Sequence, residues 1–259
     1  MTDDNIAYAT INAQDYTLNA TSISIMQSSF GGPAWELACD EALLEACEAG
    51  EVNTAGILRF WETDTPFVVL GYANKAALEL NLPSEIPVFR RCTGGGSVLQ
   101  GPGCLNYSLV LPMDGAPELA SITQTNCLIM DRHAKVLASI LKTPVRVEGH
   151  TDLAIHGRKF SGNSQRRKNR WLLFHGTFLL SCDFELMDKL LRPPPREPEY
   201  RKGRRHSDFL TTLDVQADAV RDAVMGAWRA EERFTYVPRV RIEALVETKY
   251  STHEWTFRT

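Results

Sequence analysis

Three consecutive glycines constrain this chain more than any other feature. Gly94-Gly95-Gly96 sit inside the stretch Arg90-Arg91-Cys92-Thr93-Gly94-Gly95-Gly96-Ser97-Val98-Leu99-Gln100-Gly101. A backbone free of side chains can take φ > 0, and its N–H groups can close on a bound oxyanion. The stretch therefore reads as a phosphate or carboxylate cradle, with Arg90, Arg91 and a distant lysine as counter-charge. A glycine-rich turn carrying a surface arginine is the plainer alternative, and spacing alone leaves both open.

The flanks narrow the choice. Val88-Phe89 enters the stretch as a strand and Leu105 to Leu111 leaves it as another. That order is not the strand, loop and helix of a Walker or Rossmann phosphate site, and neither G-x-x-x-x-G-K-[ST] nor a well-placed G-x-G-x-x-G occurs.

Around this centre the chain alternates helices and strands without a repeat or long linker, which predicts one mixed α/β domain over residues 1–259. Residues 1–28 are polar and predict a strand or two near the surface. Pro33, Glu36 and Gly50 bracket a helix from Ala34 to Ala49, buried along Leu37, Ala38, Ala42 and Leu44, with Asp40, Glu41, Glu45 and Glu48 as its solvated face. Ile57 to Trp61 and Phe67 to Leu70 read as strands. Ser121 and Gln124 form a capping box for a helix over 122–141. Asp152 to His156 and Lys159 to Gly162 read as a hairpin around Gly157-Arg158, and Trp171 to Leu180 as a strand with Gly176 marking a close approach or bulge. Short and long helices follow at 183–191 and 215–231, and 240–250 reads as one or two further turns.

Formal net charge is −4, so no global basic field collects nucleic acid. No apolar run approaches the ~18 residues that span a bilayer. The first twenty residues contain no Lys or Arg and lack a targeting pattern, so a reducing cytoplasm is expected. Six scattered cysteines without C-x-x-C predict neither a zinc site nor a disulfide framework, and no metal ligands are assigned. Lys159 carries no signal alone. Its setting beside a tight turn, before Ser161-Gly162-Asn163 and the basic Arg166-Arg167-Lys168, suggests several cations over one pocket, against a solvated hairpin tip. The basic runs 166–170 and 201–205 read as exposed, either solvated or steering a partner.

Four segments carry a family resemblance. Leu58-Arg59-Phe60-Trp61 through Val69-Leu70-Gly71-Tyr72, Arg90 to Val98, Asp152-Leu153 with Gly157 to Asn163, and Phe174-His175-Gly176-Thr177 resemble, in this order, the marks of the lipoate-protein ligase A catalytic domain. They match its R-R-x-[ST]-G-G-G-[AS]-V, D-L, G-[RK]-K-[IVF]-[SA]-G and H-G-T-x-L patterns, and Lys249 to Trp255 resembles the K-Y-x-x-x-E-W close. The resemblance implies a class II biotin/lipoyl-synthetase-like fold with largely antiparallel sheets flanked by helices. It implies ATP with Mg²⁺ and lipoate, or octanoate, as reactants, an acyl-AMP intermediate, and transfer to a lysine of a lipoyl carrier domain, such as a 2-oxoacid dehydrogenase E2 or a glycine cleavage H protein.

Carried over by position, Lys159 is the catalytic residue at the acyl carbonyl and α-phosphate. Arg91, Thr93, Gly94, Gly95, Gly96, Ser161, Gly162 and His175 line the acyl-adenylate site with Arg166. Asp152 orients the nucleotide or the incoming lysine, and Leu70, Val98 and Trp35 are expected as apolar walls. Gln100 stands where many lipoate ligases have histidine. The chain ends after the catalytic domain, so a separate accessory subunit is expected to be needed, or the domain manages alone.

Two alternatives stand beside ligation. Related octanoyltransferases pass the acyl group from acyl carrier protein through a cysteine thioester. The two positions that hold that cysteine are here Glu148 to Thr151 and Trp171 to Leu173, none of them cysteine, which leaves Cys92 and Cys104 as candidates. A non-catalytic lipoyl-binding subunit is the other. Biotin ligation is disfavoured, because the G-R-G-R-x-G loop of those enzymes is missing.

Overall fold

The computed structural model describes residues 22–194 and 196–258. In chain order these form β1 (Ser24–Met26), α1 (Pro33–Glu48), β2 (Ile57–Trp61), β3 (Phe67–Leu70), α2 (Ala76–Glu79), β4 (Val88–Arg90), β5 (Val98–Gln100), β6 (Cys104–Pro112) and α3 (Ile122–Leu141). The second half adds β7 (Arg146–Glu148), β8 (Asp152–Ile155), β9 (Arg158–Arg167), β10 (Trp171–Leu179), α4 (Phe184–Leu190), α5 (His206–Phe209), α6 (Ala217–Trp228), β11 (Glu232–Arg233), α7 (Arg239–Leu245) and α8 (His253–Thr256).

Eight strands form one sheet in the order β11-β1-β2-β6-β10-β9-β8-β7, and β4-β3-β5 form a second. Pairing is antiparallel except β11 with β1, β1 with β2, and β3 with β4. The mixed, largely antiparallel architecture expected from the sequence is the one observed. The expectation for residues 1–28 falls mostly outside the described residues. Its described part, β1, is a buried inner strand rather than a surface one, because Ile23, Ile25 and Met26 pack between β2 and β11.

Strand alternation sorts the core into two faces. Leu105, Tyr107, Leu109 and Leu111 of β6, with Leu172, Phe174 and Phe178 of β10, pack under α3 and α6. Val110 of β6, Trp171 and Leu173 of β10, and Ile57 and Trp61 of β2 face α1 instead. The same α1-facing positions carry polar residues further along: Arg59, Asn106, Ser108, His175 and Thr177. Register makes a row of them. Arg59 pairs with Ser108 and Ser108 with His175, while Trp61 pairs with Asn106 and Asn106 with Thr177.

Helix α1 is therefore buried almost all round rather than along one stripe. Asp40 and Glu41, expected on a solvated face, and Glu36 of the first turn are each at most 2% exposed. The physical reason is that α1 lies between the polar row, where Arg59 and Ser108 take up Glu36 and Asp40, and the C-terminal segment, where Lys249 and Tyr250 take up Glu41.

Candidate active site

Asp40 stands over the polar row and binds it at three points. Its Oδ1 accepts from Arg59 Nη1 at 2.8 Å and from Ser108 Oγ at 2.9 Å; its Oδ2 lies 3.0 Å from His175 Nδ1. Arg59 also bonds Glu36, whose other oxygen accepts from Ser29 and from the Phe30 and Gly31 amides. Burial pushes the Asp40 carboxyl up, but the hydrogen bonds from His175 and Ser108 and the Arg59 charge outweigh it, holding the group below the usual carboxylate range. Sequence reasoning missed this network. The available signal was Arg59, a charged residue in the middle of an apolar strand that could be buried only against acids, and Glu36 and Asp40 one helical turn apart.

The far side of His175 reaches the glycine loop. Its Nε2 lies 2.6 Å from Thr93 Oγ1, which also accepts from Arg91 Nε at 3.1 Å. The Arg91 guanidinium folds onto the loop itself, donating to the carbonyls of Gly94 and Gly96. Burial pushes it down to about 10, so it keeps its charge at neutral pH. Its Nη1 is buried without a partner, a donor that an incoming carboxylate or phosphate oxygen can satisfy. Gly95 holds φ +86, and Gly71 lies so close beneath it that a Cβ there would sit 2.0 Å from the Gly95 carbonyl oxygen. Glu79 of α2 secures the loop's other end at Ser97, and Ser164 donates to Gly94 O at 3.0 Å.

Arg90, expected as counter-charge, does other work. Wholly buried, it donates to the carbonyls of Gly71, Tyr72, Asn74, Trp255 and Thr256, tying the loop to α8.

Lys159 forms the opposite wall. The hairpin of β8 and β9 turns at His156 and Gly157, both at positive φ (50° and 70°), one residue earlier than expected, and delivers Lys159 beside the turn. Its Nζ pairs with Asp152 Oδ1 at 2.7 Å, and Tyr200 donates to Asp152 Oδ2 at 2.7 Å. Gly162 lets the lysine lie flat, since a Cβ would meet Nζ at 2.7 Å. Gly176 plays the same part for Asn163, whose Oδ1 would be 1.7 Å from a Cβ; the strand itself runs through without a bulge. Tyr200 packs at a 50° tilt against Phe209 with ring centroids 5.0 Å apart, and Arg201 lies over the same ring. The loop expected to be basic and exposed is thus anchored: Arg201 and His206 are buried, because Phe209 and Asp188 hold them.

Between the two walls lies a cleft of about 920 Å³. Of the residues singled out in the sequence, Arg91, Gly95, Gly96, Gln100, Asp152, Lys159, Gly162 and His175 line it. Thr93, Gly94 and Ser161 lie behind that wall and brace it. Arg166 is turned away, donating to Cys92 O at 3.0 Å with Glu41 Oε1 3.7 Å off, because the buried Glu41 draws it to the α1 side. The apolar wall is Val98 with Leu37, Trp61 and Val69. Leu70 points into a separate cluster with Leu80 and Leu99, and Trp35, in the first turn of α1, packs against the apolar cluster around that helix, outside the cleft. Gln100 spends its amide on Thr177 (2.8 Å) and Asn106 (3.0 Å), completing the second polar row.

None of the six cysteines lies on the cleft wall. Burial pushes the Cys39, Cys47 and Cys92 thiols up to about 12. Cys104 is raised by its hydrogen bond with Cys182 and by burial, and Cys182 is lowered by the same bond. Among the described residues no cluster of three or more His, Cys, Asp or Glu side chains is placed to hold a metal ion, and no helix is long and apolar enough to cross a membrane.

Fold and site together define a mixed α/β protein whose cleft joins an apolar slot to a glycine-rich loop braced by Arg91 and a facing lysine. The chain belongs to the lipoyl protein ligase A/B catalytic domain family, whose model matches residues 32–225. It is 30% identical over 173 residues to a putative lipoate-protein ligase A of Aeropyrum pernix, covering 65% of this chain and 62% of that one. It is 26% identical over 246 residues to the lipoate-protein ligase A subunit 1 of Thermoplasma acidophilum (87% and 92% covered). It is 25% identical over 275 residues to the octanoyltransferase LipM of Geobacillus kaustophilus (90% and 97%). The chain thus spans just under two thirds of the Aeropyrum relative and nearly all of the other two.

Two solved structures at 25% identity and TM-score 0.73, each covering 90% of this chain and 98% of their own, share the fold. One is a putative lipoate protein ligase of T. acidophilum with bound lipoic acid; the other is a lipoate-protein ligase A bound with ATP.

Proposed function

We propose that this chain is an ATP-dependent lipoate-protein ligase that activates lipoate, or the related octanoate, and transfers it to a lysine of a lipoyl carrier domain. The observation that carries this reading is the composition of the cleft: Lys159 and the Arg91-braced glycine loop face each other across an apolar slot, with no thiol on the wall. A thioester route needs a reactive cysteine there. An acyl-adenylate route needs cations and backbone donors aimed at phosphate and carbonyl oxygens.

In the first step a lipoate carboxylate oxygen attacks the α-phosphorus of ATP, the bond to the bridging oxygen breaks, and pyrophosphate leaves. Arg91 and the loop amides hold the anionic groups together, and Lys159 offsets the charge that develops on the phosphoryl and acyl oxygens. In the second step the carrier amine attacks the acyl carbon, the C–O bond to AMP breaks, and the amine gives up a proton. Asp152, fixed by Tyr200 and paired with Lys159, lies on the wall where that amine enters. Leu37, Trp61, Val69 and Val98 exclude water from the acyl chain. Mg²⁺ arriving with the nucleotide would offset the charge of its phosphates beside Arg91 and Lys159.

Similarity to octanoyltransferase LipM along 90% of the chain favours a second reading, transfer from octanoyl-acyl carrier protein without ATP. Similarity to a ligase subunit 1 supports a variant of the first, in which a second polypeptide completes adenylation. Incubation of the purified protein with an apo lipoyl domain separates them by mass. Lipoyl gain with ATP, Mg²⁺ and lipoate, with or without an added accessory subunit, supports the ligase; octanoyl gain from the acyl carrier protein alone sinks it.

A further inference from the structure

We propose that Asp40 is a positioning residue: through His175 and Thr93 it sets the order of protons that holds the Arg91 guanidinium against the glycine loop. The inference rests on reading the cleft as an acyl-adenylate site and adds a buried residue of α1 to its machinery.

One chain of hydrogen bonds links Asp40 to Arg91. An ionised carboxylate only accepts, so the Asp40 contact of 3.0 Å places a proton on His175 Nδ1. In the neutral ring Nε2 is then an acceptor, facing Thr93 Oγ1 at 2.6 Å. Arg91 Nε, a permanent donor, occupies a lone pair of the same oxygen at 3.1 Å, which leaves the Thr93 hydroxyl proton for Nε2. Every donor along this chain, from His175 Nδ1 through the Thr93 hydroxyl to Arg91 Nε, thus meets an acceptor, and with a neutral ring the order has one solution. Asp40 itself cannot turn, because Arg59 and Ser108 both donate to its other oxygen. Asp40 is 1% exposed and Thr93 1%, so water does not substitute for either contact. Thr93 is also pinned through its backbone, its carbonyl accepting from Tyr72 N at 2.7 Å, so the hydroxyl bond acts on a residue already placed and selects the orientation of Arg91.

Asp40→Asn reverses the order without removing volume. The amide oxygen stays with Arg59 and Ser108, the NH₂ faces His175 Nδ1, and the ring must carry its proton on Nε2. Thr93 Oγ1 then meets two donors and its own proton loses its acceptor. A buried Thr93 hydroxyl proton left without an acceptor beside the Arg91 cradle corresponds to about a tenfold rise in KM for the acid substrate, while kcat stays within about threefold because ground and transition states bear the same loss. Thr93→Val breaks the chain at the other end and gives the same split; Thr93→Ser, which keeps the hydroxyl, restores wild-type KM.

The test combines steady-state kinetics with ¹⁵N spectra of the ring nitrogens of labelled protein. The expected result is an Nδ1–H tautomer for His175 in the wild type, an Nε2–H tautomer in Asp40→Asn, and a raised KM in both Asp40→Asn and Thr93→Val. An unchanged tautomer, or a fall in kcat at constant KM that tracks lost folded protein, overturns the proposal and leaves Asp40 a structural acid. If the wild type transfers octanoate without ATP, the ligase reading fails; the tautomer signature and the KM for the acyl carrier donor still decide whether Asp40 sets the loop.

Discussion

Arg59 Nη1 lies 2.8 Å from Asp40 Oδ1 with both side chains at most 2% exposed, a buried ion pair that joins the centre of the large sheet to helix α1. Burial opposes the Arg59 charge, and Cys39, Asp40 and Glu36 around it more than restore it. Two carboxylates and one guanidinium share this interior, so removing the cation strands both acids.

Arg59→Met is accordingly expected to lower the unfolding free energy by about 3–5 kcal/mol, the cost of breaking a buried pair by removing one partner. Urea denaturation at pH 7 measures it. A loss below about 1 kcal/mol would show that the pair is not needed to bury α1.

Gly71→Ala brings a methyl group to within 2.0 Å of the Gly95 carbonyl oxygen, a contact with backbone that no rotamer relieves. The glycine loop must move. The expected outcome is a protein that folds with a modest loss of thermal stability while affinity for ATP and lipoate falls at least about tenfold, read by isothermal titration. Wild-type affinity in this variant would contradict the role given to the loop.

Tyr200→Phe removes one hydrogen bond from Asp152 while keeping the ring on Phe209. Asp152 then holds Lys159 with one partner fewer, and kcat/KM is expected to fall about 3- to 10-fold, the worth of one such bond. Unchanged kinetics would remove Tyr200 from the site.

His133 makes stability depend on pH. Its Nε2 accepts from Trp228 Nε1 at 2.8 Å, it is wholly buried, and burial, aided by the Arg132 charge, pushes it down to about 3 from an ordinary 6.5. Between those values the unfolded chain binds a proton that the native one does not, so stability is full above pH 6.5 and falls as pH drops toward 3. The slope from this group is about 1.4 kcal/mol per pH unit. Burial also lowers His206, which adds in the same direction. His133→Phe is expected to flatten the decline between pH 6 and 4 by one proton, although Trp228 loses its acceptor. An unaltered slope in urea unfolding across that range would contradict the assignment.

Much of this architecture was legible in the chain. The turn glycines, the Ser121 cap and the apolar runs place α1, β2, β3, β6, α3, β10 and α4 within a residue or two, because each is a local rule, whereas β9 runs five residues past Gly162 and α6 ends three short of 231. Lys159, Arg91, Gly95 and Gly96 were legible as a site through their motifs. The roles of Asp40, Arg59 and Tyr200 were not. Asp40 and Glu41 follow a helix pattern that on an isolated helix reads as a wet face; only the register Arg59–Ser108–His175, set by pairing across about 120 residues of sequence, supplies the partners of Asp40, and the distant Lys249 and Tyr250 supply those of Glu41. Arg90 and Arg166 misled for the converse reason: charge was visible, but the carbonyls and the buried Glu41 that capture it come from distant segments.

Lys159 is the hinge of the functional account, and its partly exposed side chain, 24% accessible and paired only with Asp152, can be removed without opening a core cavity. Lys159→Ala, compared with the wild type in the presence of ATP, Mg²⁺, lipoate, an apo lipoyl domain and, where the wild type requires it, the accessory subunit, is the most direct measurement. The account predicts a lipoyl mass gain on the carrier with the wild type, none with the variant, and superimposable circular dichroism and melting curves. Equal lipoylation by the two proteins would contradict it.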